Sequence, residues 1–258
     1  MRKKLIVGNW KMNLNLEEAR RLILDIRLTL AEIKDVEVAV CPSFLHLAMV
    51  GFQLPTNIKL GAQNCFWERF GQYTGEISPV QLKNLRCDYV ILGHSERRQY
   101  LKENDVMIAQ KLEAVLASGM TPILCVGETK EEREKKLTAA KLDEQVQVPL
   151  EDLTREQIRK IVIAYEPVWA IGKGLAARPQ DAQQVAKFIR KILDKKYDEK
   201  TAEMVRILYG GSVDSKNIIE FVSQPSIDGA LVGRASLKAE EFVDIVKNVT
   251  EVKNASRI

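Results

Sequence analysis

The chain has 258 residues, of which 46% are hydrophobic and 29% are charged, and its formal net charge is +4. The apolar fraction is enough for a large core. The charges are spread along the chain, which argues against a nucleic-acid surface but not against a ligand with phosphate groups. No stretch is apolar enough to span a bilayer, and the apolar run after the basic start is too short for a signal peptide. We expect neither nucleic acid nor membrane as a partner.

Cysteine usage indicates the redox compartment. The four cysteines lie far apart without a Cys-x-x-Cys pair, and the chain has only two histidines, so the sequence argues against a zinc site. We therefore expect reduced thiols in a cytoplasmic protein.

Short apolar segments rich in valine and isoleucine recur along the chain and predict eight strands. In chain order they are LIVGN from Leu5, VEVAVC from Val36, IKLGAQ from Ile58, YVILGH from Tyr89, PILCVG from Pro122, IVIAYE from Ile161, VRILYGG from Val205 and DGALVG from Asp228.

Amphipathic segments lie between most of these strands. The segments LEEARRLILDIRLTLAEI from Leu16 and PQDAQQVAKFIRKILDKKY from Pro179 repeat apolar residues at helical spacing, which predicts helices with one buried stripe. Pro179 is tolerated because it falls in a first turn. The region from Lys130 to Leu153 is predicted as a charged helix with its connection.

The alternation of strands and helices predicts an α/β fold. Strands buried on both faces lack clean alternation, and parallel strands need crossover connections, which are usually helical. Eight units at regular spacing favour a closed, parallel, eight-stranded (β/α)8 barrel that forms a single domain over residues 1–258. An open doubly wound sheet is the alternative. No Gly-x-Gly-x-x-Gly follows the first strand, and polar residues follow many different strands, which both favour the barrel.

In a barrel, the loops after the strands build the active site. Asn9 and Lys11 follow the first strand. For Lys11, a solvated loop lysine is the alternative to a functional cation. Glu96 is expected to pair either with Lys11 or with one of the two arginines that follow it, and an ordinary surface pair is the alternative.

His94 follows the fourth strand. A hydrogen-bonded core histidine is the alternative to a functional one. If a helix starts at Ser95, its positive end disfavours protonation of the imidazole. A neutral imidazole still donates a hydrogen bond to a carbonyl oxygen.

Glu166 follows the sixth strand and is the most unusual polar residue of the chain. A carboxyl group at the end of a buried strand loses hydration, which predicts a raised pKa and a better base. Pro167 keeps Glu166 extended and ends the strand, which places the acid at the barrel rim. The apolar segment 168–171 and the freedom of Gly172 and Gly174 predict a lid with hinges. An acid exposed in an ordinary turn is the alternative.

Two glycine-rich turns follow the last two strands, and their sequences are YGGSV from Tyr209 and LVGRA from Leu231. Loops after strands seven and eight often bind phosphate in barrels, because glycines let backbone N–H groups approach the anion. Together the two turns predict a phosphate site.

Seven segments carry a resemblance to a known family: GNWKMN at Gly8, GAQN at Gly61, GHSERR at Gly93, CVGE at Cys125, YEPVWAIG at Tyr165, YGGSV at Tyr209 and DGALVG at Asp228. In this order and over essentially the whole chain, they resemble the triosephosphate isomerase family. The resemblance implies a TIM barrel that interconverts dihydroxyacetone phosphate and glyceraldehyde 3-phosphate, a step of glycolysis and gluconeogenesis. No metal and no organic cofactor is implied.

The resemblance also implies residue roles. Glu166 would move the proton between adjacent carbons, and His94 would shuttle protons among the enediolate oxygens, which are the established roles in that family. Lys11, with Asn9, would bind substrate and stabilise the developing negative charge. The residues implied in phosphate binding are Gly172, Ser212, Gly233 and Arg234. The residues implied in support are Ser95, Glu96, Cys125 and Tyr209, with Cys125 as a packing residue.

The chain departs from the family pattern at two places. The lid tip reads GKGLA from Gly172, where the family usually has Gly-Thr-Gly-Lys-Thr, and Gly233-Arg234 stands where the family often has paired glycines. We expect Arg234 to point away from the phosphate, towards solvent or an acidic neighbour, and to supply only its N–H.

The segment WERFGQYTGEIS from Trp67 is long for a barrel loop and rich in aromatic residues, which predicts an interface. It resembles the interdigitating loop of the family, in which Thr74 would reach the active site of a second copy near Asn9 and Lys11, and Tyr73 belongs to the same dimer loop. The resemblance implies a homodimer, with a tetramer left open.

Two other functions remain as alternatives. Another phosphate-binding barrel, acting on a different sugar phosphate or an indole precursor, would keep the glycine turns without needing Lys11, His94 and Glu166 together. A non-catalytic phosphometabolite-binding or scaffold protein that inherited the barrel is the alternative from another class.

Overall fold

The computed structural model of the protein describes residues 2–171 and 176–255. Eight parallel strands close into a barrel in sequence order, and the predicted (β/α)8 fold is confirmed. All eight predicted segments form strands. They are β1 Leu5–Asn9, β2 Glu37–Cys41, β3 Ile58–Ala62, β4 Tyr89–Leu92, β5 Thr121–Val126, β6 Val162–Tyr165, β7 Arg206–Tyr209 and β8 Gly229–Val232.

The barrel closes through β1, which pairs with β2 on one side and with β8 on the other. Alternate strand residues face opposite sides. Leu5 and Val7 pack inside the barrel, whereas Ile6 packs outward against the helices. Both layers are apolar and buried, which explains why the strands show no clean polar alternation.

Helices cover the outside of the barrel. Within the described residues they are α1 Leu16–Leu30, α2 Leu47–Gln53, α3 Pro79–Asn84, α4 Ser95–Leu101, α5 Asp105–Ala117, α6 Lys130–Glu134, α7 Thr138–Gln147, α8 Arg155–Ile158, α9 Pro179–Lys196, α10 Glu199–Met204, α11 Ile218–Val222 and α12 Ala239–Ala255. Short 3-10 segments span Phe44–His46, Val168–Ala170 and Arg234–Leu237. The two predicted amphipathic helices are confirmed as α1 and α9.

The region from Lys130 to Leu153 contains two helices, α6 and α7, where the sequence predicted one. A capping box at Thr129 starts α6 early, because the Thr129 hydroxyl accepts from the N–H of Glu132. Lys136 then has a backbone φ of +58°, which no helix tolerates, so the chain breaks before α7.

The direction of the strands determines where function can lie. Their carboxyl ends all meet at one end of the barrel, so side chains that follow different strands converge there. As predicted for Pro167, β6 stops at Tyr165 and the chain turns into a 3-10 segment. In the part of the chain that the structure describes, no helix has the length and apolarity needed to cross a membrane.

Candidate active site

A cavity of about 750 Å³ opens at the carboxyl ends of the strands. This volume is usual for a small-molecule site. Nine of the predicted site residues line the cavity: Asn9, Lys11, His94, Ser95, Glu96, Glu166, Ser212, Gly233 and Arg234. Gly172, which was also predicted to bind phosphate, lies outside the described residues, as does most of the predicted lid tip.

Glu166 lies on the cavity wall and is only 2% exposed. Its Oε1 lies 2.9 Å from Nε2 of His94, and its Oε2 accepts a hydrogen bond of 2.8 Å from the backbone N–H of Ser95. The alternative of an acid exposed in a turn is therefore wrong. Both carboxylate oxygens have donors, so the group is held in one orientation.

The expectation that burial raises the pKa of Glu166 is wrong in its net direction. Burial is the largest single influence and does oppose ionisation. However, the His94 ring, the N–H of Ser95 and the nearby Lys11 cation together favour the carboxylate more strongly, so the pKa lies below the usual value for a glutamate. The carboxylate is therefore ionised at neutral pH, which is the form a general base requires.

His94 caps the start of α4, and the prediction of a helix at Ser95 is confirmed. Its Nδ1 accepts from the N–H of Glu96 at 3.3 Å, whereas the carboxylate Oε2 of Glu96 is further away at 3.6 Å. Nε2 faces the acceptor-only carboxylate of Glu166 and must carry a proton. Nδ1 therefore accepts and Nε2 donates, and the tautomer with its proton on Nε2 satisfies both contacts.

Lys11 extends its ammonium group to Glu96, with Nζ 2.6 Å from Oε1. Glu96 therefore pairs with Lys11 rather than with the two arginines that follow it. Those arginines instead pair with Glu103 and Asp105. The Lys11 side chain is 27% exposed, so this cation is neither fully solvated nor sealed from the cavity.

Glycines flank Glu166 on both neighbouring strands. A side chain at Gly127, just after β5, would place its Cβ 1.7 Å from the carbonyl oxygen of Glu166. A side chain at Gly210, just after β7, would place its Cβ 3.0 Å from Cγ of Glu166. The backbone and side chain of Glu166 therefore depend on two adjacent strand ends without side chains.

Free N–H groups gather at the other side of the cavity. Within the described residues, the backbone N–H groups of Ser212, Gly233 and Arg234 make no hydrogen bond. A Cβ at Gly233 would lie 3.7 Å from Cε of Lys11, so this turn is close to the lysine. Free donors beside a cation form an anion site. Arg234 itself is exposed.

Two of the predicted supporting residues lie behind the cavity rather than on it. Cys125 is fully buried inside the barrel, and burial raises the pKa of its thiol far above the usual value. Tyr209 stacks on Phe221 with ring centroids 3.9 Å apart, and its hydroxyl accepts from the N–H of Ala177 at 3.0 Å. Burial raises the pKa of Tyr209 to about 12. Both side chains are suited to packing, not to proton transfer.

Glu128, the last residue of the CVGE segment, was not among the predicted site residues. Its carboxylate is fully buried and accepts from the Tyr165 hydroxyl at 3.2 Å and from Nε1 of Trp169 at 3.0 Å. Arg133 supplies the opposite charge at 3.1 Å. Glu128 thus holds the chain on both sides of Glu166, and a charged residue two positions after the end of a buried strand was the available signal.

The segment from Phe66 to Ser78 follows β3 and contains the predicted interface, and we call it the aromatic loop. Phe66 stacks on Trp67 and contacts Tyr73, with ring centroids 4.0 and 4.7 Å apart. Tyr73 and Thr74 are exposed, and neither lines the cavity.

Among the residues that the structure describes, no three His, Cys, Asp or Glu side chains are grouped as a metal site requires.

The fold and the cavity define a class of protein. Within the described residues, an ionised carboxylate, an imidazole that donates from Nε2, a cation and N–H groups without a hydrogen bond converge at the carboxyl end of a (β/α)8 barrel, which is the arrangement of an enzyme that moves protons on a small anionic substrate.

Comparison with known proteins identifies the family within that class. The family model described as triosephosphate isomerase matches residues 4–249, and the chain belongs to this family. It is 51% identical to the triosephosphate isomerase of Dictyoglomus turgidum, over 96% of this chain and 100% of that protein. It is 50% identical to that of Carboxydothermus hydrogenoformans, over 96% of this chain and 99% of that protein.

Proposed function

We propose that this protein interconverts dihydroxyacetone phosphate and glyceraldehyde 3-phosphate by moving a proton between adjacent carbons. The observation that carries the proposal is the pair formed by the ionised Glu166 and the Nε2–H of His94, 2.9 Å apart on the wall of one cavity. A base and a hydrogen-bond donor at this separation suit a substrate that has an acidic C–H beside a carbonyl.

Glu166 is the base in this mechanism. In the structure both of its oxygens have donors, so the carboxylate must exchange at least one of them for the substrate carbon. Substrate that occupies the cavity displaces the contact with His94. This displacement removes a charge-stabilising hydrogen bond from the carboxylate and strengthens it as a base at the moment it is needed.

His94 then donates its Nε2–H to the substrate oxygen. The N–H of Glu96 keeps Nδ1 as an acceptor, so the donor position is fixed at Nε2. Lys11 lies beside the same cavity and stabilises the negative charge of the enediolate, because a fixed cation acts more strongly in a water-poor site.

The phosphate group is proposed to bind at the two glycine turns. The backbone N–H groups of Ser212, Gly233 and Arg234, which have no hydrogen bond to any described residue, support this assignment. Gly172 is proposed as a further donor on the basis of the family resemblance. A phosphate bound at these turns fixes the carbon skeleton of the substrate between the base Glu166 and His94.

A homodimer is proposed as the working assembly. The isolated protomer exposes large apolar residues around the aromatic loop and around the loop of Lys11, among them Phe70 at 72% and Met12 at 95%. A second cavity of about 440 Å³, lined by Met12 and Leu45, lies beside the Lys11 loop. The aromatic loop of a second copy is a fitting occupant, since association removes both apolar surfaces from water.

We also propose a cytoplasmic location, because all four cysteines are free and buried.

A coupled assay with glyceraldehyde 3-phosphate tests the proposed reaction. Dihydroxyacetone phosphate formed by the protein is reduced by an NADH-dependent enzyme, and the loss of NADH is followed. We expect rapid turnover without added metal or cofactor. Parallel assays with larger sugar phosphates examine the rival barrel enzymes. Turnover of those substrates alone, or of none, would contradict the proposal.

A further inference from the structure

The backbone of Lys11 has an unusual conformation. Its φ is +53°, in the left-handed region, which costs a residue with a side chain roughly 1 kcal/mol or more. Such a conformation persists only when neighbouring groups impose it. The groups that hold Lys11 therefore also determine where its ammonium group lies.

Two side-chain amides hold the two sides of this residue. The N–H of Lys11 donates to Oδ1 of Asn9 at 3.1 Å, and its carbonyl oxygen accepts from Nε2 of Gln63 at 2.9 Å. Nε2 of Gln63 also donates to the carbonyl oxygen of Cys41 at 2.9 Å. Gln63 directly follows β3 and Cys41 ends β2, so one amide group ties the Lys11 loop to two neighbouring strands.

We propose that Gln63 is a positioning residue, which keeps Lys11 in its left-handed conformation and affects the reaction only through that lysine. This inference rests on the role proposed for Lys11. An apolar side chain of similar length would leave the Lys11 carbonyl oxygen without this donor. The backbone would then relax to an ordinary φ, and Nζ would leave its place 2.6 Å from Oε1 of Glu96.

The chemistry of the contact explains why a glutamine is needed. Both acceptors are carbonyl oxygens, so the holding group must present two N–H donors at one position. A glutamate has the same size but has no donor when ionised, and its charge would repel both oxygens. Gln63→Glu therefore breaks the contact without a loss of side-chain volume, and serves as a second variant if Gln63→Met folds poorly.

A double-mutant cycle distinguishes positioning of Lys11 from general bracing of the barrel. The four proteins are the native chain, Gln63→Met, Lys11→Met and the double variant, all compared in the coupled assay. We expect Gln63→Met to lower kcat/KM about 10- to 100-fold, as misplacement of a substrate-contacting group does. In the Lys11→Met background the same change should have an effect of less than about twofold.

A second readout is the affinity for inorganic phosphate, which is measured by calorimetry on the same four proteins. It allows the double-mutant cycle to be evaluated even when turnover is too low to measure. It should weaken in Gln63→Met, and the double variant should bind no more weakly than Lys11→Met. As a matched control, Gln183→Met removes a different glutamine, which is buried and bonds Ser226 through both ends of its amide. This control should lower the melting temperature and leave kcat/KM unchanged.

Additive losses in both readouts would overturn the inference, because Gln63 would then act independently of Lys11. An equal kinetic loss in Gln183→Met would also overturn it in favour of general bracing. Full activity in Lys11→Met would show that the proposed role of Lys11 is wrong, which is a separate failure.

Discussion

Each end of the barrel has a hydrogen-bonded glutamate, but the two glutamates serve different purposes. At the amino end, Glu37, Tyr89 and Arg206 begin β2, β4 and β7 and bond one another. The Tyr89 hydroxyl donates to Glu37, and the Arg206 guanidinium donates to Glu37 at 2.8 Å and to the Tyr89 oxygen at 2.9 Å. At the carboxyl end, Glu166 bonds His94 and Ser95 beside an open cavity.

Both glutamates have a pKa below the usual value. The groups that lower it have different surroundings at the two ends. Burial opposes ionisation of Glu37, and the Tyr89 hydroxyl and the Arg206 cation outweigh it. These partners begin strands of the barrel and also bond each other. The partners of Glu166 lie at the start of a helix and border space that a substrate can enter. A network in which protein groups supply all the hydrogen bonds contributes stability. A network in which a substrate can replace one of the hydrogen bonds is suited to chemistry.

The largest expected effect is at the carboxyl end. In Glu166→Asp the shortened acid keeps its charge but lies about an ångström further from the substrate carbon, so we expect kcat to fall about 100-fold or more with KM nearly unchanged. Steady-state kinetics measure both constants. An unchanged kcat would remove Glu166 from the role of base.

The aromatic loop comes next, because it would link the carboxyl end of one protomer to a second copy. Replacement of Tyr73 and Thr74 by glutamate should produce monomers. Their activity should fall by at least about tenfold, because the loop of Lys11 loses its support. Light scattering and the coupled assay measure the two effects. Leu28→Glu, which changes another exposed apolar residue on α1, serves as the control and should stay dimeric. A fully active monomer would show that the loop is not an essential interface.

At the amino end the expected effect is on stability. Tyr89→Phe removes a hydroxyl that bonds both Glu37 and Arg206, and we expect the free energy of unfolding to fall by about 2 kcal/mol with kcat unchanged. Because the folded pKa of Glu37 is lowered, its contribution is present above pH 4.5 and is lost as the pH falls through the folded pKa. The difference between the two proteins should therefore narrow in acid. Urea unfolding at several pH values measures it.

The smallest expected effect is at Arg234, which is exposed at the cavity rim. If it supplies only its N–H, Arg234→Gly should raise KM less than about twofold, and mainly at low salt, where screening is weak. Arg234→Pro deletes the N–H and should weaken binding far more. A large loss in the glycine variant that persists at high salt would mean that the guanidinium binds the phosphate directly.

Much of the fold was predictable because its signals are local. Apolar runs gave all eight strands, and Pro167 ended β6 as expected. The break between α6 and α7 was missed, because it depends on the left-handed backbone of Lys136, a residue type with no preference for that conformation. The single domain over residues 1–258 stays a prediction.

Many of the residues that line the cavity were predictable, but the energetics of the cavity were not. Strand-end positions identified Lys11, His94 and Glu166, since parallel strands bring their carboxyl ends together. The direction of the Glu166 pKa was wrong, because it depends on donors about 70 residues away in the sequence whose distances no local pattern gives. The amino-end network was missed for the same reason, since Glu37 and Arg206 are 169 residues apart.

One matched pair of variants tests the division between the two ends most directly. Glu166→Gln and Glu37→Gln make the same chemical change at opposite ends of the barrel, and kcat and the free energy of unfolding are measured for both at one protomer concentration. We expect Glu166→Gln to lose kcat by about 1000-fold or more, and Glu37→Gln to keep kcat within about twofold while losing more stability than Glu166→Gln does. Retention of kcat in Glu166→Gln, or an equal loss of kcat in Glu37→Gln, would contradict the assignment of chemistry to the carboxyl end.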